Sequence, residues 1–305
     1  ARLFMPHITV VSSVGSAPVV RRLPSPALTL WHSHQRYLEG QDEHHLRQLT
    51  LIRDLQDAVG NGELWMAYQP KVDTRNGRVD QCEALMRWRH PSLGFVPPDE
   101  FISLAERSGS ISMLSHWMLA NVCAQLHTWQ QRGYHLSVAV NLSASDVVDR
   151  QLAAYVASLL ERYRLTPARL SIEVTESAVM QDVDAAMETL MELNQLGLRI
   201  AIDDYGTGYS SLAQIKRLPV DELKIDKSFV LAIDSQKDDL TIVSSTIEMG
   251  HSLGLRLVAE GVENRASAEL LSKLGCDYLQ GYWIAKPMPA DDIPAWLDNF
   301  TTLSL

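Results

Sequence analysis

Cysteine is scarce: Cys82, Cys123 and Cys276 are three in 305 residues, widely spaced and odd in number. That excludes a disulfide framework and a zinc-ligand pattern, and it suits a reducing compartment, so a cytoplasmic location is expected. Basic residues are also short, 27 Lys and Arg against 37 Asp and Glu, for a net charge of −10. With no basic cluster either, a DNA- or RNA-binding surface is not expected. A phosphorylated small ligand stays open, because bound cations reverse a local acidic field. Long apolar runs are missing as well. The longest candidate, Ile8 to Val20, is broken by Ser12, Ser13, Gly15, Ser16 and Pro18. No secretory signal is evident, and the chain begins at Ala1 without a Met. A fragment is therefore expected, with any inner-membrane anchor or sensor left in a longer parent.

What is present reads as a large α/β domain with an appendage. Ile8–Val11 and Ala27–Trp31 look like short strands, punctuated by Pro24 and Pro26. From Asp42, Leu46, Leu49, Ile52, Leu55 and Val59 recur at helical spacing among charged residues, and Gly60 and Gly62 follow. This predicts a linker helix, with residues 1–59 as an N-terminal segment and 60–305 as the main domain. Beyond it, β-like runs (Leu64–Pro70, Arg78–Trp88, Leu136–Val140, Leu170–Val174, Arg199–Ile202, Pro219–Ile225, Arg256–Ala259, Tyr278–Gln280) alternate with helical ones. Seven or eight strands in this length predict a (β/α)8 barrel. A doubly wound open sheet is the alternative.

The most informative stretch is Ile200 to Leu212, where an apolar run ends in Asp203-Asp204 and a loop with two glycines follows. Adjacent strand residues face opposite ways, so the expectation is that Asp203 ends the strand and Asp204 opens the loop. Two carboxylates this close repel, and a divalent cation relieves them. Strand ends read in order give Glu83, Asn141, Glu173, Asp203 with Asp204, Lys224 with Asp226, Glu260 and Gln280. Catalytic groups of a barrel come from these positions. Oxygen donors without His or Cys favour Mg²⁺, Mn²⁺ or Ca²⁺, and donors beyond one ion's needs favour two metals.

Glu83-Ala84-Leu85, continued by Met86-Arg87-Trp88, resembles the signature of the EAL domain, a family of cyclic di-GMP phosphodiesterases. Tyr68-Gln69-Pro70, Asn141-Leu142-Ser143, Glu173-Val174-Thr175-Glu176, Asp203 to Leu212, Leu223 to Asp226, Ala259 to Glu263 and Leu279 to Tyr282 extend the likeness over about residues 60–300. The resemblance implies a TIM-like barrel with one antiparallel strand, hydrolysing cyclic di-GMP to linear pGpG with Mg²⁺ or Mn²⁺ and inhibited by Ca²⁺. It implies Glu83, Asn141, Glu173 and Asp203 as metal ligands, Asp204 for a second metal, and Glu260 as ligand or general base. Lys224 matches a catalytic lysine and Gln280 a site residue; Gln69, Arg87 and Asp226 are expected to contact substrate. Glu176 matches a carboxylate that holds the Asp203–Leu212 loop, a loop linked in the family to homodimer formation. Tyr205 departs from the commoner Phe and keeps the ring. Residues near 27 to 58 resemble the end of a GGDEF-type module, so an upstream GGDEF-like or sensor domain is an expected partner. The rival reading is a silent receptor that binds cyclic di-GMP without cutting it.

Overall fold

The computed structural model describes residues 25–207 and 212–303, with the side chains of 25–42, 212 and 213 outside the description. The Ile8–Val11 run therefore lies outside the described residues. Ala27–Trp31 is not a strand but part of a 37-residue helix, α1 (Ser25–Asn61). Its Ala and Leu residues are strong helix formers, and a five-residue apolar run is too short for periodicity to separate helix from strand. The chain divides into two units between Thr50 and Leu51. From there on, α1 buries Leu51, Leu55 and Ala58, while Leu46 and Leu49 are 62% and 50% exposed. Of the expected stripe, Leu55 is buried and Ile52 and Val59 pack against the core, whereas Leu46 and Leu49 stay exposed.

The strands are β1 (Leu64–Asp73), β2 (Val79–His90), β3 (Gly94–Val96), β4 (Ser137–Leu142), β5 (Leu170–Thr175), β6 (Arg199–Tyr205), β7 (Glu222–Ile225), β8 (Arg256–Ala259), β9 (Tyr278–Leu279) and β10 (Met288–Pro289). The intervening helices are α2 (Pro98–Ser108), α3 (Ile111–Gln131), α4 (Leu152–Tyr163), α5 (Glu176–Gln181), α6 (Val183–Gln195), α7 (Leu212–Ile215), α8 (Lys227–Val230), α9 (Lys237–Ser252), α10 (Arg265–Lys273) and α11 (Asp292–Asn299). Hydrogen bonding runs β1-β9-β8-β7-β6-β5-β4-β2, and β2 closes back on β1. This is the expected closed eight-stranded barrel; β3 and β10 are additions to β2 and β1.

β1 is antiparallel to both its barrel neighbours, and the other barrel pairs are parallel. The cause is the connection. β1 and β2 are joined by a tight turn in which Gly77, at φ 65°, donates its N–H to Asp73 O at 2.8 Å. A parallel pair needs a crossover of about a dozen residues or more, which this turn does not supply. Elsewhere, strands such as Val138–Val140 and Ile172–Val174 are buried throughout, as expected where helices cover a parallel sheet.

The loops after β8 and β9 are locked together. Val262 N–H donates to Gln280 O and Trp283 N–H to Val262 O, both at 3.0 Å. A Cβ on Gly281 would stand 2.2 Å from Val262 O and 2.3 Å from Val262 N. Both obstacles are backbone, so the two loops must separate to admit it. Gly281→Ala is expected to lower the unfolding free energy by about 1–3 kcal/mol, the usual cost of overpacking, and so to lower the denaturation midpoint. Chemical denaturation measures it, and an unchanged midpoint would mean that the two loops separate freely.

Candidate metal centre

The C-terminal ends of the parallel strands bring the expected residues to one mouth. Lys224, on β7, is fully buried and stands among four carboxylates. Its Nζ lies 2.6 Å from Glu173 Oε2, 2.8 Å from Asp203 Oδ2, 2.8 Å from Glu260 Oε1 and 3.6 Å from Glu83 Oε2. Glu83, on β2, accepts from Asn141 Nδ2 at one oxygen and from Gln280 Nε2 at the other, both at 2.7 Å. Gln280 Nε2 also donates to Gln69 Oε1 at 3.0 Å, and Gln69 Nε2 donates to Ala285 O at 3.0 Å. The side chain of Gln69 thus supports Gln280 and also lines the mouth over the acids.

Asp203 and Asp204 reach the same region by a route the alternation rule does not anticipate. β6 does not end at Asp203 but runs to Tyr205, with its register to β7 broken between Ile202 and Tyr205. Asp204 adopts a left-handed conformation at φ 53°, and its N–H donates to Asp203 Oδ1 at 2.8 Å. Such a residue turns the second carboxylate back toward the first, and Asp tolerates this conformation better than most side chains. Asp226 caps α8, accepting from Ser228 N–H at 3.0 Å, and it faces Asp204. The buried Glu176 accepts from Gly206 N–H at 3.4 Å, tying down the start of the loop that follows β6. Residues 208–211 of that loop lie outside the described residues.

Arg87 is set apart from the acids. Its Nη1 donates to Met86 O at 2.9 Å, and among the described residues it makes no ion pair. It lines a largely apolar cavity of about 360 Å³. A second cavity of about 550 Å³ lies over the acids, and the two share Leu85, Asp99 and Asn141 as walls. Half-burial lowers the pKa of Arg87, with Tyr282 and Glu83 pulling the other way, and its guanidinium stays a forked donor for an anion.

One site residue escaped the sequence reading: Lys71, on β1, 1% exposed, with Nζ 2.5 Å from Glu173 Oε1. The signal was there. Lys71 lies two residues after Gln69 in an otherwise apolar strand, and residues i and i+2 share a face.

Burial works against every charge here, and the partners decide the outcome. For Glu83 burial is outweighed by Lys224, Lys71 and the amides of Gln280 and Asn141, which hold it down at about 2. Burial pushes Glu260 up to about 8; Lys224 pulls the other way, while Asp203 and Glu83 push with the burial. Burial also raises Glu173 despite its two lysines, and raises Asp204 with help from Asp203. Lys224 overcomes burial through Asp203, Glu173, Glu260 and Glu83, and is carried well above its ordinary value.

These residues fit a hard divalent cation. Oxygens of Glu83, Glu173 and Asp203 lie within 4.8 Å of one another, as do those of Asp203, Asp204 and Glu260. Five carboxylates face two lysines, so acid is in excess where burial penalises it. Gln280 Oε1 is a buried acceptor with no hydrogen-bond partner among the described residues. A buried acceptor left unmatched is costly, and a cation or its water satisfies it.

A match to the EAL domain family covers residues 52–287. The chain is 44% identical over 249 residues to the bifunctional diguanylate cyclase/cyclic di-GMP phosphodiesterase MucR of Pseudomonas aeruginosa, covering 81% of this chain and 36% of that protein. It is 38% identical over 263 residues to the cyclic di-GMP phosphodiesterase PA2567 of the same organism, covering 86% of this chain and 45% of the relative. The chain therefore spans less than half the length of these curated relatives. Among solved structures, the PaMucR phosphodiesterase in complex with c-di-GMP superposes with a TM-score of 0.77 at 43% identity, covering 80% of this chain and 99% of that one. With the signature acid of β2 on the rim of a closed barrel, and a family match over most of its length, the chain belongs to the EAL domain family.

Proposed function

We propose that this chain is a metal-dependent phosphodiesterase that hydrolyses cyclic di-GMP to linear pGpG. The observation that carries the reading is the convergence of Glu83, Glu173, Asp203, Asp204 and Glu260 on one mouth around Lys224, with Asn141 and the unpartnered Gln280 Oε1 beside them. Relatives named as cyclic di-GMP phosphodiesterases support the substrate. Glu83, Asn141, Glu173 and Asp203 would hold one Mg²⁺ or Mn²⁺, and Asp203, Asp204 and Glu260 a second. When bound, such cations neutralise a phosphodiester, lower the pKa of a bound water and steady the departing oxygen.

The rest falls to the side chains. Glu260, at the mouth with one oxygen 2.8 Å from Lys224 Nζ, is suited in its ionised form to take a proton from the water that attacks phosphorus in line with the 3′ oxygen. The departing 3′ oxygen gains a proton, and the ring opens at one phosphodiester to leave a 5′-phosphate. Lys224 presents a point charge with three donors that orients the water or the phosphoryl oxygens. Arg87 offers its fork to a phosphate or a guanine edge from the cavity it lines beside the acids. Asp226, beside Asp204, and Gln69, which holds Gln280 and lines the same cavity, are the further substrate contacts of this reading. Glu176 tethers the loop after β6, and homodimer formation through the barrel and control by an upstream GGDEF-like or sensor module belong to the same proposal.

Chromatography of products after incubation with cyclic di-GMP and Mn²⁺ tests the reading. Linear pGpG is expected; intact ligand retained on the protein would make it a receptor, and neither outcome would remove the substrate. Replacing Mg²⁺ by Ca²⁺ is expected to leave poor turnover, because its looser coordination does not impose a tight geometry. Full activity in Ca²⁺ would count against the mechanism.

A further inference from the structure

The Glu173 carboxylate is shared between two lysines, one at each oxygen. Lys224 meets Oε2 at 2.6 Å and Lys71 meets Oε1 at 2.5 Å. The two lysines are not equivalent. Lys224 reaches four carboxylates and can exchange among them; among the described residues Lys71 pairs with Glu173 alone. Nor does Lys71 line either cavity at the mouth, so it touches no ligand there. A lysine this deep carries a large desolvation penalty unless its partner is well placed, and a buried pair of this kind replaced as a whole by apolar side chains of similar volume is often no less stable.

We propose that Lys71 is a positioning residue for the cation site. By holding Oε1 it fixes the Glu173 carboxylate in one orientation and leaves Oε2 directed at Lys224 and the other acids. A carboxylate held at one oxygen from below has lost the rotation about its terminal bond that an unheld one keeps, and a ligand restrained beforehand binds more tightly. The inference rests on the reading of Glu173 as a metal ligand.

The test is Mn²⁺ binding to the purified chain, by calorimetry and by electron paramagnetic resonance, for wild type, Lys71→Met and Lys71→Arg. Methionine keeps the length and removes the charge; arginine restores a donor to Glu173. Lys71→Met is expected to weaken Mn²⁺ binding by about 10- to 100-fold, the usual loss when the support of a metal ligand is removed. The KM for cyclic di-GMP at saturating Mn²⁺ is expected to stay at the wild-type value, with Lys71→Arg recovering most of the affinity. Wild-type Mn²⁺ affinity in Lys71→Met, with only a lower melting temperature, would overturn the inference and leave the pair as packing. Absence of Mn²⁺ binding by the wild type would overturn the metal reading itself, and this inference with it. Should Lys71→Met fail to fold, Lys71→Gln carries the same two outcomes, weakened binding in favour and wild-type binding against.

Discussion

Glu83→Ala is expected to reduce turnover of cyclic di-GMP by on the order of 10³-fold or more, the scale lost when a group that stabilises developing charge is removed. Glu83→Gln is expected to do no better. Both oxygens of Glu83 accept, one from Asn141 and one from Gln280. An amide at position 83 would turn its NH₂ against one of those donors, so the isosteric change breaks the network as surely as truncation does. Circular dichroism should show the barrel intact in both variants, and rates measured in Mg²⁺ decide the matter. Turnover of Glu83→Gln within tenfold of wild type would remove Glu83 from the metal site.

The second large effect concerns Lys224→Met. Four carboxylates lose their shared ammonium, and breaking a buried pair by deleting one partner costs about 3–5 kcal/mol. In the presence of chelator the variant is expected to melt well below wild type. Mn²⁺ should return most of that stability, because a divalent cation supplies the charge that the ammonium supplied, while turnover stays low. Thermal melts with chelator and with Mn²⁺, read beside rates, separate the two roles. A melting temperature that ignores Mn²⁺ would show that the acids do not form a cation site. Equal turnover in variant and wild type would remove Lys224 from the chemistry.

Much of this site was legible before any coordinates. Acids and amides at the ends of apolar runs fall at the mouth because barrel topology places every parallel strand end on one rim, so Glu83, Asn141, Glu173, Asp203, Lys224, Glu260 and Gln280 could be read in order. What depends on backbone detail could not. The left-handed turn at Asp204 is one residue wide and leaves no periodic trace, so the end of β6 was placed too early. Lys71 does not sit at a strand end: β1 runs the other way and brings its middle to the site. The stripe on α1 is legible only in part, at Ile52, Leu55 and Val59. Leucines at helical spacing are solvated at Leu46 and Leu49 and packed at Leu51 and Leu55, and only tertiary contact distinguishes them.

The hairpin that joins β1 to β2 reaches further than its position at the far end of the barrel implies. Side chains on a strand alternate in and out, so a slip of one residue between β1 and β2 would turn Gln69 and Lys71 outward and bring apolar neighbours in their place. Two local irregularities forbid that slip: the glycine-bearing turn, and the skipped residue where Lys71 faces Gln81 but Val72 faces Val79. They act as an index pin for the whole catalytic layer. A length change in that turn is therefore a change to the chemistry, made from the opposite pole of the molecule.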